Sequence, residues 1–163
     1  MSTSRSAHET PGYDPAMRID HGGLLVTDVE RSVRFYVEAL GLERVPRPST
    51  FDTPGAWLQV GEQQIHLIGE TEPGRAREMT PRYDEAEIVI GYGTHLALVV
   101  DDLDAALRRA AAAGVTPPGE VFARGDGIKR VFVTDPDGHV IELMQTGIEV
   151  TGAEPRLKAP QRG

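Results

Sequence analysis

The sequence predicts an α+β fold built from two copies of a βαβββ module. Two observations predict it. Short apolar, strand-like runs alternate with one helical pattern in each half of the chain, and the second half repeats the first at a nearly constant spacing. The 163 residues are close to the length of one domain. We therefore expect a single domain over residues 18–146, composed of modules 18–69 and 94–146.

The first module begins with a strand-like run at 18–26. Asp28 is the expected N-cap of the amphipathic helix that follows, and Gly41 ends that helix. The loop Gly61-Glu62-Gln63 indicates a hairpin between the module's last two strands. The three strand-like runs after the helix lie at 42–45, 56–60 and 64–68.

The second module repeats this order. A strand-like run at 94–100 precedes Asp102, the N-cap of a helix that ends at Gly114. The segment Asp135-Pro136-Asp137-Gly138 has the composition of a turn, and His139 beside it is expected to be an exposed loop residue. Strand-like runs follow the helix at 119–123, 128–134 and 139–144.

Three segments lie outside the modules. Residues 70–93 are charged and interrupted by proline and glycine, which indicates a linker over the surface that could form a flap over a pocket. No helix or strand is predicted there. Residues 1–17 and 147–163 are rich in small and polar residues without periodicity, so both are predicted to be disordered tails.

The duplication relates four polar residues in pairs. An offset of 74 residues lays His21 on His95, and an offset of 76 lays His66 on Glu142. Each lies in or beside an otherwise apolar strand. If the modules pack about a pseudo-two-fold axis, all four side chains can converge on one point.

Three imidazoles and one carboxylate are a sufficient ligand set for zinc or a divalent transition metal. A neutral imidazole binds metal near pH 7, and a carboxylate offsets part of the ion's charge. A simpler interpretation remains for each residue. A single strand histidine often bonds a backbone carbonyl and fills space, and alternation along the strand could place Glu142 on a solvated face.

Composition excludes several classes of function. Lys and Arg number 17 against 25 Asp and Glu, and a net charge of −8 argues against nucleic acid and anionic membrane surfaces as partners. The absence of cysteine excludes disulfides, thiolate zinc sites and iron–sulfur clusters. Neither an 18-residue apolar run nor the apolar core of a signal peptide is present, so we expect a cytoplasmic protein.

Five motifs occur in a characteristic order. They are His21 with Asp28, Ser32-Val33-Arg34-Phe35-Tyr36 with Leu40-Gly41-Leu42, Gln64-Ile65-His66-Leu67, Thr94-His95-Leu96-Ala97-Leu98 with Asp101-Asp102-Leu103, and the segment from Phe132 to Leu143. Together they resemble the vicinal oxygen chelate superfamily, which contains glyoxalase I, bleomycin resistance proteins and extradiol dioxygenases. The resemblance covers about residues 18–146 and implies two βαβββ modules whose curved mixed sheets form a cleft.

The resemblance also implies a metal site. Carried over by position, the ligands are His21, His66, His95 and Glu142, and the cofactor is one divalent metal ion: Fe, Ni, Zn, Co or Mn. Family members commonly pair as homodimers, so the site lies either within one chain or between two. In a shared site, His21 and His66 of one chain meet His95 and Glu142 of the other.

The implied function is that of a metal-dependent, glyoxalase-like lyase or isomerase acting on a small oxygen-chelating substrate. Glu142 and His66 are the candidate catalytic bases for proton abstraction beside a carbonyl. In glyoxalase I-like members the position of His66 is usually a carboxylate, so this chain departs from their pattern.

Two alternatives remain open at the level of sequence. An Fe(II) extradiol-type dioxygenase would use His21, His95 and Glu142. A metal-free small-molecule binding or resistance protein, as in bleomycin resistance, would keep the histidines only as polar core.

Substrate contacts are less specified by the sequence. Trp57, Arg124 and Arg130 are the candidate substrate-binding residues, since they lie in or beside segments that flank the expected cleft. The competing interpretation is that Trp57 fills the core and that the arginines are solvated surface charges.

Overall fold

A computed structural model describes residues 16–158. Within this range the chain forms eight strands, four α-helices and one π-helical segment, and it confirms the predicted α+β fold of two βαβββ modules. The tail predicted at 1–17 lies outside the described residues except for Ala16 and Met17.

The elements are close to their predicted positions, with ends that differ by a few residues. The strands are β1 (His21–Val26), β2 (Glu43–Val45), β3 (Gly55–Val60), β4 (Gln63–Gly69), β5 (His95–Val99), β6 (Phe122–Ala123), β7 (Lys129–Thr134) and β8 (Val140–Gln145). The helices are α1 (Val29–Arg34), which continues into a π-helical segment (Phe35–Ala39), α2 (Arg75–Met79), α3 (Glu85–Ile90) and α4 (Leu103–Ala112).

The two modules have the same sheet topology. Each forms a four-stranded mixed sheet, in the orders β1-β4-β3-β2 and β5-β8-β7-β6, with one parallel pair between its first and last strands. The register is also repeated, because His21 lies opposite Gln64 and His95 lies opposite Val140. Each of these histidines therefore shares a sheet face with the polar residue two positions further along the last strand.

Helix α1 starts as the sequence predicts and continues into a π-helical segment, which ends before Gly41, at a φ of +79°, as predicted. The Asp28 carboxylate accepts a hydrogen bond from the backbone N–H of Arg31, as an N-cap should. After Arg34 the helix widens into the π-helical segment, which buries the adjacent residues Phe35 and Tyr36 together. An inserted residue in a π-turn shifts the helical face, so neighbouring aromatic residues both reach the core.

One hydrophobic core lies between the helices and the inner face of each sheet. Alternate strand residues point into it, for example Leu24 and Val26 on β1 and Ile141 and Leu143 on β8. The opposite faces carry the histidines and Glu142. Alternation therefore separates the residues that stabilise the fold from those predicted to bind metal.

The turn between β7 and β8 joins the two modules. The Tyr36 hydroxyl donates to the buried Asp135 carboxylate at 3.0 Å, and Thr27 and Arg31 donate to Asp137 at 2.6 and 3.0 Å. Burial alone would raise the pKa of Asp137, but the hydrogen bonds from Thr27 and the charge of Arg31 lower it overall. These bonds fix how the modules sit against each other.

His139 belongs to the same junction, which corrects the prediction of an exposed loop residue. Its ring is half-buried, and Nε2 donates to the Leu25 carbonyl of the first module at 2.8 Å. The turn brings the ring against the end of β1, a contact between distant residues that local composition does not reveal.

The linker at 70–93, predicted without regular structure, contains helices α2 and α3. A capping box between Asp84 and Glu87 starts α3, and this pattern is visible in the sequence. Gly91 ends α3 at a φ of +71°, and a Cβ atom there would lie 2.7 Å from the Phe132 ring. Helix α3 therefore packs closely on β7 and covers the outer face of the second sheet.

The C-terminal segment carries no helix or strand between residue 147 and residue 158, where a disordered tail was predicted. Its path is nevertheless held by two contacts: the Ile148 N–H donates to the Gly127 carbonyl, and the Glu154 carboxylate accepts from the backbone of Thr151 and Gly152. Across the described part of the chain, no helix has the length and apolar character that crossing a membrane requires.

Candidate functional site

On the first sheet, three aromatic rings form a continuous stack. His66 lies between His21 and Trp57, with ring centroids 4.0 and 4.3 Å away and ring planes within 16° of parallel. Trp57 is the direct cross-strand partner of His66, and Phe51 meets the Trp57 ring edge-on. The sheet register thus places two predicted ligands and one predicted substrate contact in one row.

Each imidazole in this stack has a hydrogen-bond partner. His21 Nδ1 donates to the Asp20 carboxylate at 2.9 Å, and this bond lowers the pKa of Asp20. His66 Nε2 lies 2.8 Å from the side-chain oxygen of Gln64. Burial, and next the neighbouring His21, lower the pKa of His66, so its ring is neutral near pH 7. The neutral His66 ring keeps one nitrogen lone pair for a ligand.

On the second sheet, His95 faces the buried carboxylate of Glu142. The Gly93 carbonyl accepts a hydrogen bond from His95 Nδ1 at 2.9 Å, so Nδ1 carries a proton. His95 Nε2 lies 3.4 Å from Glu142 Oε2. The Phe132 ring packs edge-on against His95 and is the cross-strand partner of Glu142.

Two arginines lie close to Oε1, the second oxygen of the Glu142 carboxylate. Arg130 Nε is 3.4 Å and Arg124 Nη1 is 3.8 Å from Glu142 Oε1. Arg124 also pairs with Asp126 at 2.6 Å. A buried carboxylate is costly without a countercharge, and these guanidinium groups supply it.

A cavity of about 290 Å³ opens beside this pair. Leu157 of the C-terminal segment contributes to its wall, far from the other lining residues in sequence. The lining residues are Ile90, Gly91, His95, Arg124, Arg130, Phe132, Glu142 and Leu157. Positive, aromatic and apolar groups together suit a small anionic molecule with an apolar part.

The structure brings the predicted residues together in two groups and not in one. Trp57 joins His21 and His66, whereas Arg124 and Arg130 join His95 and Glu142. Between residues 16 and 158 of one chain, no three His, Asp or Glu side chains are close enough to hold one metal ion.

Some neighbours of these residues were missed by the sequence analysis. Asp20, Gln64 and Phe132 contact the predicted ligands directly. Asp20 adjoins His21, and Gln64 lies two residues before His66, so alternation along β4 could have placed it on the same face. Phe132 could have been found as the repeat-related counterpart of Trp57, because both are cross-strand partners of a predicted ligand.

Comparison with known proteins identifies the family. Residues 18–143 match the family model of the Glyoxalase/Bleomycin resistance protein/Dioxygenase superfamily. The chain is 31% identical over 140 residues to a Vibrio parahaemolyticus protein named "Probable lactoylglutathione lyase", covering 84% of this chain and 96% of that protein. It is 30% identical over 134 residues to the lactoylglutathione lyase of Haemophilus influenzae, covering 79% and 93% of the two chains.

Solved structures agree. A glyoxalase-family crystal structure from Bacillus anthracis superposes with a TM-score of 0.62 at 26% identity, covering 82% of this chain and 98% of the other. The fosfomycin resistance protein FosX of Listeria monocytogenes, in a variant crystallised with Mn(II), has the same fold, with a TM-score of 0.60 at 17% identity over 79% and 92% of the two chains. The chain belongs to the Glyoxalase/Bleomycin resistance protein/Dioxygenase superfamily.

Proposed function

We propose that the protein is a divalent-metal-dependent lyase or isomerase of the glyoxalase type, active as a homodimer. Each site would combine His21 and His66 of one chain with His95 and Glu142 of its partner. The observation that carries the proposal is the approach of His95 Nε2 to Glu142 Oε2 at 3.4 Å, with His95 Nδ1 donating to the Gly93 carbonyl.

Two electron-rich atoms at that distance repel unless a cation lies against both. A divalent metal ion provides that cation. Histidines that bind metal through one ring nitrogen commonly donate a hydrogen bond from the other to a backbone carbonyl or carboxylate, as His95 Nδ1 does to Gly93. A protonated His95 is the other cation that would satisfy the pair, and the metal titration below separates the two. The donor set therefore fits a divalent metal.

The split of the ligands into two pairs supports the shared site. Each pair offers two donors, which is too few for a stable site, and the structure keeps the pairs apart within one chain. A two-fold axis between chains is the simplest operation that joins one pair to the other twice. A homodimer would then hold two equivalent sites.

When bound, the metal would supply an electrophile that stabilises the oxyanion developing on the substrate. The chain's own residues would do the remaining work. Glu142 would accept the proton removed beside a carbonyl, because the one free nitrogen lone pair of His66 would be bound to the metal. Trp57 and Phe132 would exclude water, and Arg124 would meet an anionic part of the substrate.

The relatives named lactoylglutathione lyase support a substrate of that kind. We propose the adduct of glutathione with a small 2-oxoaldehyde as the first substrate to test. Activity would be followed by the absorbance of the thioester product formed from glutathione and methylglyoxal. The chain carries no glutathione-specific motif, so this assignment depends on the relatives.

Trp57 allows a direct test of the metal site, because it is the chain's single tryptophan and it stacks on His66. Co²⁺ titrated into metal-free protein should quench its fluorescence, with saturation near one ion per chain. Glu142→Gln should weaken binding by about 100-fold, since it removes a charged ligand. Glu149→Gln, at an exposed carboxylate nearby in sequence, is the matched control and should bind like wild type.

A mixing experiment tests the sharing of sites. His21→Ala and Glu142→Gln proteins should each be inactive, but dissociated and reassembled together they should regain about a quarter of wild-type activity. Random pairing gives one intact site in half of the dimers. Inactivity of the mixture after verified exchange would count against shared sites. If wild type neither binds Co²⁺ nor turns over substrate, the metal-free binding protein becomes the better assignment.

A further inference from the structure

Arg130 is the most deeply buried basic residue of the candidate site. It lies on β7, and only 5% of its side chain is exposed. Its guanidinium carbon lies 4.5 Å from the ring centroid of Phe132 and 5.7 Å from that of Phe122. Nη2 donates to the carbonyl of Ile90 at the end of α3. Aromatic rings on one side and a backbone carbonyl on the other hold the group in place.

The Nε atom of this guanidinium lies close to the Glu142 carboxylate. Nε lies 3.4 Å from Glu142 Oε1, and it is a buried side-chain donor without a hydrogen-bond partner among the residues that the structure describes. Burial lowers the pKa of Arg130, yet an arginine stays charged at every pH at which proteins fold. A buried, charged donor is costly, so its position requires a compensating role.

Arg130 is badly placed to bind substrate, although the sequence analysis grouped it with Arg124. The side chain of Arg124 is 35% exposed and that of Arg130 is 5% exposed. Both approach the same oxygen of Glu142, but only Arg124 reaches the surface. An incoming anion would therefore meet Arg124 first.

We propose that Arg130 is a positioning residue that fixes the Glu142 carboxylate, holding Oε1 so that only Oε2 is directed toward His95 and an incoming metal ion. The geometry divides the carboxylate in this way, with the arginines on Oε1 and the imidazole on Oε2. Glu142 would then bind a metal through one oxygen. The metal part of this inference rests on the proposed function, whereas the pairing of Arg130 with Glu142 does not.

The pairing is tested on metal-free protein by a double-mutant cycle in thermal stability. Arg130→Met should lower the melting temperature by several degrees, because it removes the nearer and more deeply buried of the two guanidinium groups that compensate the Glu142 charge. In a Glu142→Gln background the same change should lower it by much less or raise it. Equal losses in both backgrounds would overturn the proposal. If Arg130→Met does not fold, Arg130→Lys replaces it in the cycle.

The positioning role is tested on the Co²⁺-loaded protein. Arg130→Met should change the visible absorption spectrum of bound Co²⁺ and lower kcat by about tenfold or more, with KM within about twofold of wild type. Lys129→Met is the matched control, since Lys129 is the neighbouring cation on β7 and pairs with Asp104 instead. It should change neither property.

Two outcomes would overturn the positioning role. A raised KM with unchanged kcat would make Arg130 a substrate contact, and an unchanged Co²⁺ spectrum would mean that it does not control how Glu142 binds the ion. If the wild-type protein binds no Co²⁺, the proposed function fails instead, and the stability cycle alone decides whether Arg130 fixes Glu142.

Discussion

The two halves of the candidate site are related by the internal repeat and yet differ in chemistry. The first offers two imidazoles, His21 and His66, stacked with an indole on a partly exposed sheet face. The second offers an imidazole and a buried carboxylate, with arginines behind the carboxylate. The sheet order and the register are the same in both.

The difference comes from what covers each sheet. Helix α3 packs on β7, the strand next to the buried Glu142, and this carboxylate needs a countercharge, which Arg130 and Arg124 provide. His66 is half-buried beneath Trp57 and is neutral, so aromatic stacking is sufficient. Duplication thus relates the positions of the four residues, whereas their neighbours differ between the two sheets.

Removing the charge of Glu142 should lower activity more than any other change. Glu142→Gln keeps the shape of the side chain but removes its charge, so we expect kcat/KM to fall by about 100-fold or more. The buried Arg130 would lose its countercharge as well. Steady-state kinetics with added metal checks this prediction. Wild-type activity in Glu142→Gln would mean that the second half contributes no ligand.

A carboxylate at the repeat-related position of both modules should show how far this ligand determines which metal the site prefers. His66→Glu places a carboxylate in both modules, and we expect the ratio of Mn²⁺ to Zn²⁺ affinity to rise by about tenfold, because oxygen ligands favour the harder ion. Calorimetric titration of each metal measures the ratio. His66→Gln, which removes the imidazole without adding charge, is the control and should weaken both metals. An unchanged ratio in His66→Glu would place residue 66 outside the metal site.

Disturbing the packing of helix α3 on β7 should remove a contact that only the second half of the site has. Gly91→Ala adds a methyl group at a φ of +71° that would lie 2.7 Å from the Phe132 ring. Gly74→Ala is the matched control, with a φ of +89° and open space around the added atom. We expect Gly91→Ala to cost about 1–2 kcal/mol more stability than Gly74→Ala. Urea unfolding of both variants measures the difference, and equal losses would argue against close packing of α3.

The smallest predicted effect is a pH dependence confined to the first half. Burial and then His21 lower the pKa of His66 from its usual value of 6.5, so protonation favours the unfolded state. The stabilisation is fully present above pH 6.5 and is lost as the pH falls through the lowered pKa. Trp57 fluorescence should decrease over the same range, because a protonated imidazole quenches indole. A midpoint above 6.5 would contradict the prediction, and His66→Gln should abolish the transition.

Local patterns in the sequence were sufficient to predict the architecture. Short apolar runs predicted the strands, Asp28 and Asp102 predicted the helix starts, and the repeat predicted which residues are equivalent. These features depend on neighbours a few residues away, so a single sequence contains them. The capping box at Asp84 is of the same kind and was available to sequence reasoning.

The sequence by itself thus determined the two modules and the repeat-related positions of the four polar residues. Only the tertiary structure decided that these positions form two separate pairs within one chain, that α3 covers one pair, and that Arg130 lies buried against Glu142. The physical reason is the distance along the chain between the residues that make these contacts. Burial and charge compensation depend on contacts between elements tens of residues apart, and no local periodicity records which face another element will cover.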